Sequence, residues 1–64
     1  MKFRFTLFIK ESDTKKTPVK CTGELLDIKN TDSSSIGFFR VIQSEEIVPE
    51  YVYVNMKYVD NNVK

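Results

Sequence analysis

The first ten residues alternate between polar and apolar side chains, and this alternation constrains the fold more than any other feature of the chain. Phe3, Phe5, Leu7 and Ile9 share one parity. A period of two is typical of a β-strand with one face buried. The pattern therefore predicts a strand over Lys2–Lys10 with Phe5 in the core, and it places Phe8 on the outer face.

The residue composition favours an all-β fold. Val, Ile, Thr, Phe and Tyr supply 25 of the 64 residues, and there is no Ala. β-branched and aromatic side chains lose rotamer freedom in a helix but pack well on a pleated surface. A chain of this length holds one small domain. We therefore expect residues 1–64 to form a single all-β domain, either a small antiparallel barrel or a strongly bent meander of four to five strands.

Three further segments have the character of strands. In Val19–Lys29 the apolar parity changes at Gly23, which is typical of a β-bulge. The alternative interpretation is an α+β fold with a short helix near residues 22–30. Ile36–Gln43 is apolar on both parities, which predicts either a central strand covered on both faces or a strand that passes through the closure of a barrel. Tyr51–Val59 predicts a last strand with its first two valines facing the core.

The residue inventory disfavours catalysis and cofactor binding. The chain has no His and a single cysteine, Cys21. The usual general base at neutral pH is therefore missing, and neither an internal disulfide nor a Cys/His zinc site can form. We expect a non-enzymatic protein with no catalytic residue, no metal and no cofactor. No apolar segment reaches the length of a membrane span, so we expect a cytoplasmic protein without a membrane partner.

Charge is distributed unevenly along a chain whose net charge is only +1. Residues 1–20 carry six basic and two acidic side chains, whereas residues 21–50 carry two basic and six acidic ones. Two interpretations follow from this asymmetry. The two segments can neutralise each other across a sheet, or the molecule can present one positive and one negative region.

Two groups of residues are candidates for contacts with a partner. If the first and last strands lie close, their side chains outside the core interleave rings and cations, a combination that suits protein docking or base stacking. The acidic turn before the last strand can steer a basic partner. The candidate aromatic and basic face comprises Arg4, Phe8, Lys10, Tyr51, Tyr53 and Lys57, and the acidic turn comprises Glu45, Glu46 and Glu50.

These features favour a small non-catalytic protein-interaction module that binds a protein partner through the aromatic and basic face or through an edge strand. The abundance of residues with AT-rich codons extends this interpretation to a viral or mobile-element modulator of a host protein. One alternative is a small β-barrel that binds single-stranded nucleic acid through the same face, weakly because the net charge is near zero. Another is a homo-oligomeric structural component, with a homodimer as its smallest form.

Overall fold

The fold is one antiparallel β-sheet of five strands. A computed structural model of the chain describes residues 2–63. The hydrogen-bonded order of the strands is β4-β3-β2-β1-β5, once they are numbered along the chain. The strands are β1 (Lys2–Lys10), β2 (Lys16–Asn30), β3 (Ser35–Ser44), β4 (Tyr51–Asn55) and β5 (Val59–Val63), with a 3-10 turn (Met56–Tyr58) between the last two. The all-β prediction is confirmed.

The sheet is strongly bent because its two edges are joined by a short connection. In a flat sheet with strands about 4.8 Å apart, β4 and β5 would be separated by about 19 Å. The four Cα–Cα steps from Asn55 to Val59 span at most about 14 Å. The sheet must therefore curl to bring its edges toward each other. No backbone ladder joins β4 to β5 in residues 2–63, so the barrel form of the prediction is not confirmed.

Residues 22–30 belong to a strand, so the prediction of a short helix there is wrong. β2 is one continuous strand of 15 residues that pairs with β1 on one side and with β3 on the other. Its register with β3 shifts between Thr22 and Gly23 and again between Leu25 and Asp27. The first shift is at the predicted bulge. The ladder with β3 extends along this segment, and the ladder with β1 reaches Glu24. The bulge at Gly23 accounts for the change of apolar parity without a helix.

The last predicted strand, Tyr51–Val59, is interrupted. β4 ends at Asn55, whose side-chain oxygen accepts a hydrogen bond from the Lys57 amide and begins the 3-10 turn. Asn competes with regular structure in this way because its short side chain reaches nearby backbone amides. The chain then crosses to the other edge, where β5 pairs with β1.

The core lies on the concave side of the sheet. Two buried phenylalanines form its centre, with the Phe5 and Phe39 ring centroids 4.7 Å apart, and the Phe3 ring meets Phe39 edge-on. The parity predicted for the first and last strands is confirmed, since β1 and β4 both contribute buried residues. The buried core residues are Phe5, Val19, Cys21, Phe39, Val52 and Val54.

Candidate interaction surfaces

The structure divides the predicted aromatic and basic face into two regions. Arg4, Phe8 and Lys10 lie on β1, whereas Tyr51 and Tyr53 lie on β4. β2 and β3 separate these strands in the sheet. The strands that were expected to lie close are therefore not neighbours, because β5 takes the place beside β1.

The first region is a group of three aromatic rings on the outer face of β3 and β4. The Phe38 ring centroid lies 4.8 Å from that of Tyr53 and 5.9 Å from that of Tyr51. Tyr53 is 73% exposed and Tyr51 about half exposed. We call Phe38, Tyr51 and Tyr53 the aromatic trio. It places three adjacent aromatic rings on the outer face of this edge.

Phe38 was not among the predicted surface residues. The signal for it is the Phe38–Phe39 pair, because neighbouring residues of a strand point to opposite faces. The structure buries Phe39 completely and leaves Phe38 partly accessible. A central strand covered on both faces was the expectation, but one face of β3 carries the trio instead.

Charges of both signs surround the aromatic trio. Arg40 lies opposite Tyr51 in the register, and its Nε atom is 3.3 Å from Glu50 Oε2. On β2, Glu24 lies opposite Arg40 and Asp27 lies opposite Phe38. All these side chains are at least partly accessible. The rim of the trio is therefore mixed in charge, with more carboxylates than cations among these four residues.

β4 presents an open backbone edge. The Val41 amide donates to the Glu50 carbonyl, and amides alternate in direction along an antiparallel pair. Val52 and Val54 therefore turn their N–H and C=O groups toward β3, and Tyr51, Tyr53 and Asn55 turn theirs away from the sheet. The strand contains no charged residue, no Pro and no register shift with β3. Native sheets usually protect a free edge with charged residues, prolines or bulges, and β4 has none of these.

Two of the three glutamates of the acidic turn contact residues of the sheet. Glu45 donates its amide to the Lys20 carbonyl and accepts the Lys20 amide on its side chain. Glu50 contacts Arg40, as described above. Glu46 is exposed, and the side chain of Ile47 beside it is 99% accessible, a feature that the charge pattern did not indicate.

The second region contains Arg4, Phe8 and Lys10 of β1, together with Lys57 of the 3-10 turn. The Phe8 and Tyr58 rings meet edge-on with centroids 5.0 Å apart, and Lys57 Nζ lies 5.1 Å from the Tyr58 ring centroid. Tyr58 was not among the predicted site residues. It reaches Phe8 because the 3-10 turn rotates it out of the last strand.

Cys21 is part of the core and is not presented to any surface. Its thiol is buried, and its Sγ atom lies 3.7 Å from the Val19 carbonyl oxygen. Burial, and to a smaller extent the Glu45 carboxylate, raise the pKa of the thiol above its ordinary value near 9.0. A thiol in this environment stays protonated at neutral pH and is a poor nucleophile.

The raised pKa of Cys21 predicts a loss of stability at alkaline pH. The folded state holds the thiol proton more tightly than the unfolded state, so this contribution is fully present below about pH 9 and disappears as the pH rises through the folded pKa. Urea unfolding of the wild type and Cys21→Ala at pH 8 and pH 10 measures it. We expect the wild type to lose more stability over this interval, and equal losses would contradict the assignment.

Among residues 2–63, no three His, Cys, Asp or Glu side chains are grouped so that they could hold a metal ion. That part of the chain also has no helix with the length and apolar character needed to cross a membrane. Comparison of the chain with protein-family models, with curated proteins and with solved structures gives no match.

Proposed function

We propose that the chain is a small non-catalytic protein-interaction module that binds an extended segment of a partner protein as an added strand on β4. The observation that carries this proposal is the open β4 edge beside the aromatic trio. Backbone groups on a free edge supply affinity for an extended peptide, and the neighbouring side chains supply specificity. The open backbone edge and two of the three rings of the trio belong to the same five residues, Tyr51–Asn55.

The other edge of the sheet is less suited to this role. β5 carries a charged residue, Asp60, within the strand, and its pairing with β1 contains a register shift between Arg4 and Phe5. Charges and irregularities of this kind discourage edge-to-edge pairing. The contrast between the two edges favours β4 as the acceptor.

The chemistry around β4 defines the segment that fits. An added strand would place alternate side chains over the aromatic trio, where apolar groups gain contact area and cations gain attraction from the ring faces. Asp27 and Glu50 lie at the rim of the trio. The preferred partner segment is therefore extended and carries apolar and basic residues at every second position, on the face that meets the trio. The acidic turn reinforces the preference for basic residues by electrostatic steering.

A displayed library of random ten-residue peptides tests this proposal. Selected peptides are expected to carry apolar and basic residues at every second position and to slow amide hydrogen exchange at Tyr51, Tyr53 and Asn55, whose N–H groups face the open edge. Tyr53→Ala removes one ring and keeps the amide, whereas Tyr53→Pro removes both. We expect Tyr53→Pro to weaken binding further than Tyr53→Ala does, because only proline deletes a backbone hydrogen bond.

Three outcomes would contradict the proposal. Equal effects of the two substitutions would show that the backbone edge takes no part in binding. Exchange protection confined to β1 or β5 would place the peptide elsewhere. Sedimentation of the free protein as a dimer that Tyr53→Pro dissociates would assign the edge to a second copy of the chain.

A further inference from the structure

The outer face of the β1–β2 hairpin carries a concentration of cations. In the register, Lys10 lies opposite Lys16, Thr6 opposite Lys20, and Arg4 opposite Thr22, and directly opposed residues share a face. Lys57 joins them from the 3-10 turn through its contact with Tyr58. We call Arg4, Lys10, Lys16, Lys20 and Lys57 the basic face.

Aromatic and cyclic side chains cross the middle of the basic face. Phe8 lies opposite Pro18 in the register and meets the Tyr58 ring from the other side. Phe8 is 44% exposed and Tyr58 36% exposed. Along the strands the next outer-face positions are occupied by the Lys10–Lys16 pair in one direction and by Lys20 in the other. Each of these steps is about 6.8 Å.

Carboxylates neutralise only part of this positive charge. Lys10 Nζ lies 3.7 Å from Asp13 Oδ1, and Lys20 Nζ lies 3.9 Å from Asp60 Oδ2. Both pairs are accessible to solvent. Exposed pairs of this kind are weak and exchange readily with other ions. The direct opposition of Lys10 and Lys16 is unfavourable in the free protein, and an anion bound between them would remove that repulsion.

We infer that the basic face binds single-stranded nucleic acid. Rings flanked by cations match a strand whose bases stack on the protein while its phosphates meet Lys and Arg. A duplex fits less well, because its bases are already stacked and this face has no helix or protruding ribbon to enter a groove. An anionic membrane also fits less well, since Phe8 and Tyr58 pack against each other and do not project as an apolar wedge.

Fluorescence anisotropy with a labelled 12-nucleotide oligothymidylate tests this inference, with a 12-base-pair duplex and phosphatidylserine vesicles as competitors. We expect the single strand to bind more tightly than either competitor. With about four phosphates neutralised, the affinity should fall about 50-fold between 50 and 200 mM salt.

Two substitutions within the face should weaken this binding. The double variant Lys16→Gln/Lys20→Gln removes two phosphate contacts and should lower the salt slope by about 1.4. Phe8→Leu removes a stacking ring and should lower the affinity about tenfold. The charge-matched control is Lys29→Gln/Arg40→Gln, which removes two cations that lie outside the basic face and should leave the affinity within about twofold.

The inference would be overturned by an equal loss in the charge-matched control, by a preference for the duplex or the vesicles, or by no binding at 50 mM salt. It is independent of the proposed peptide site on β4. Tyr53→Pro should leave oligonucleotide binding unchanged, and Lys16→Gln/Lys20→Gln should leave peptide binding unchanged. Failure of either activity alone would therefore be assigned to its own surface.

Discussion

Replacing Phe5 with Ala is expected to unfold the protein at room temperature. Phe5 is completely buried, and its ring packs against Phe39 at a centroid distance of 4.7 Å. Phe→Ala changes in a core cost about 3–5 kcal/mol, because they remove apolar contacts and leave a cavity. A domain of this size has a total stability of about 3–5 kcal/mol. The substitution should therefore remove all or nearly all of the free energy of unfolding.

Phe8→Ala is the matched control for this prediction. Phe8 lies on the same strand, three residues away and on the opposite face, and it is partly exposed. We expect this variant to remain folded and to lose about 1 kcal/mol or less, as surface substitutions usually do. Circular dichroism during thermal and urea unfolding compares the two variants. A Phe5→Ala protein as stable as Phe8→Ala would show that the core does not depend on the Phe5 ring.

The local pattern of the sequence predicted the faces of the regular strands. β1 alternates so regularly that only one set of its residues can be buried together, and the valines of β4 follow the same rule. The bulge at Gly23 was also visible, since a change of apolar parity requires an extra residue in one strand. These features depend on neighbouring residues, and local patterns record them directly.

The pairing of distant strands was not predictable in the same way. Nothing in Tyr51–Val59 indicates that the chain leaves the sheet at Asn55 and returns at the opposite edge. At this point the Lys57 amide donates a hydrogen bond to the Asn55 side-chain oxygen, and the curl of the sheet brings the opposite edge within reach of the short turn. The predicted aromatic and basic face assumed that the first and last strands were neighbours, and its division into two regions follows from this turn.

The same topology explains how charge is distributed over the surface. β1 pairs with the first half of β2, and both come from the basic segment of residues 1–20 or adjoin it. Most of their cations therefore gather on the outer face of one hairpin, and in this register only Lys2 lies opposite a carboxylate of the acidic segment, Glu24. The sequence left two interpretations of the charge asymmetry open, and the register favours a separate positive region.

The second large effect is expected for Gly23→Ala. A Cβ atom at this position would lie 2.8 Å from the Arg40 carbonyl oxygen and 2.9 Å from Phe5 Cε1. The first contact is with the backbone of β3, which cannot move without breaking the ladder, and the second is with a ring held in the core. Overpacking of this kind typically costs about 1–3 kcal/mol. We expect about 2 kcal/mol, which lowers the stability of this small domain from about 3–5 to about 1–3 kcal/mol and raises its unfolded fraction about 30-fold.

Gly37→Ala tests whether the backbone contact is the decisive one. Its Cβ atom would meet side chains only, with Met56 Sδ at 2.8 Å and the Phe39 ring closer still. The flexible Met56 side chain can move aside, so the Phe39 ring is the decisive obstacle, and Gly37→Ala should cost less in a Phe39→Leu background than in the wild type. Gly23→Ala should cost as much in a Phe5→Leu background as in the wild type, because the Arg40 carbonyl stays in place. Urea unfolding measures these costs. A stability of Gly23→Ala within about 0.5 kcal/mol of the wild type would show that β3 can move away from the bulge. The close approach of β2 to β3 would then not be what requires glycine.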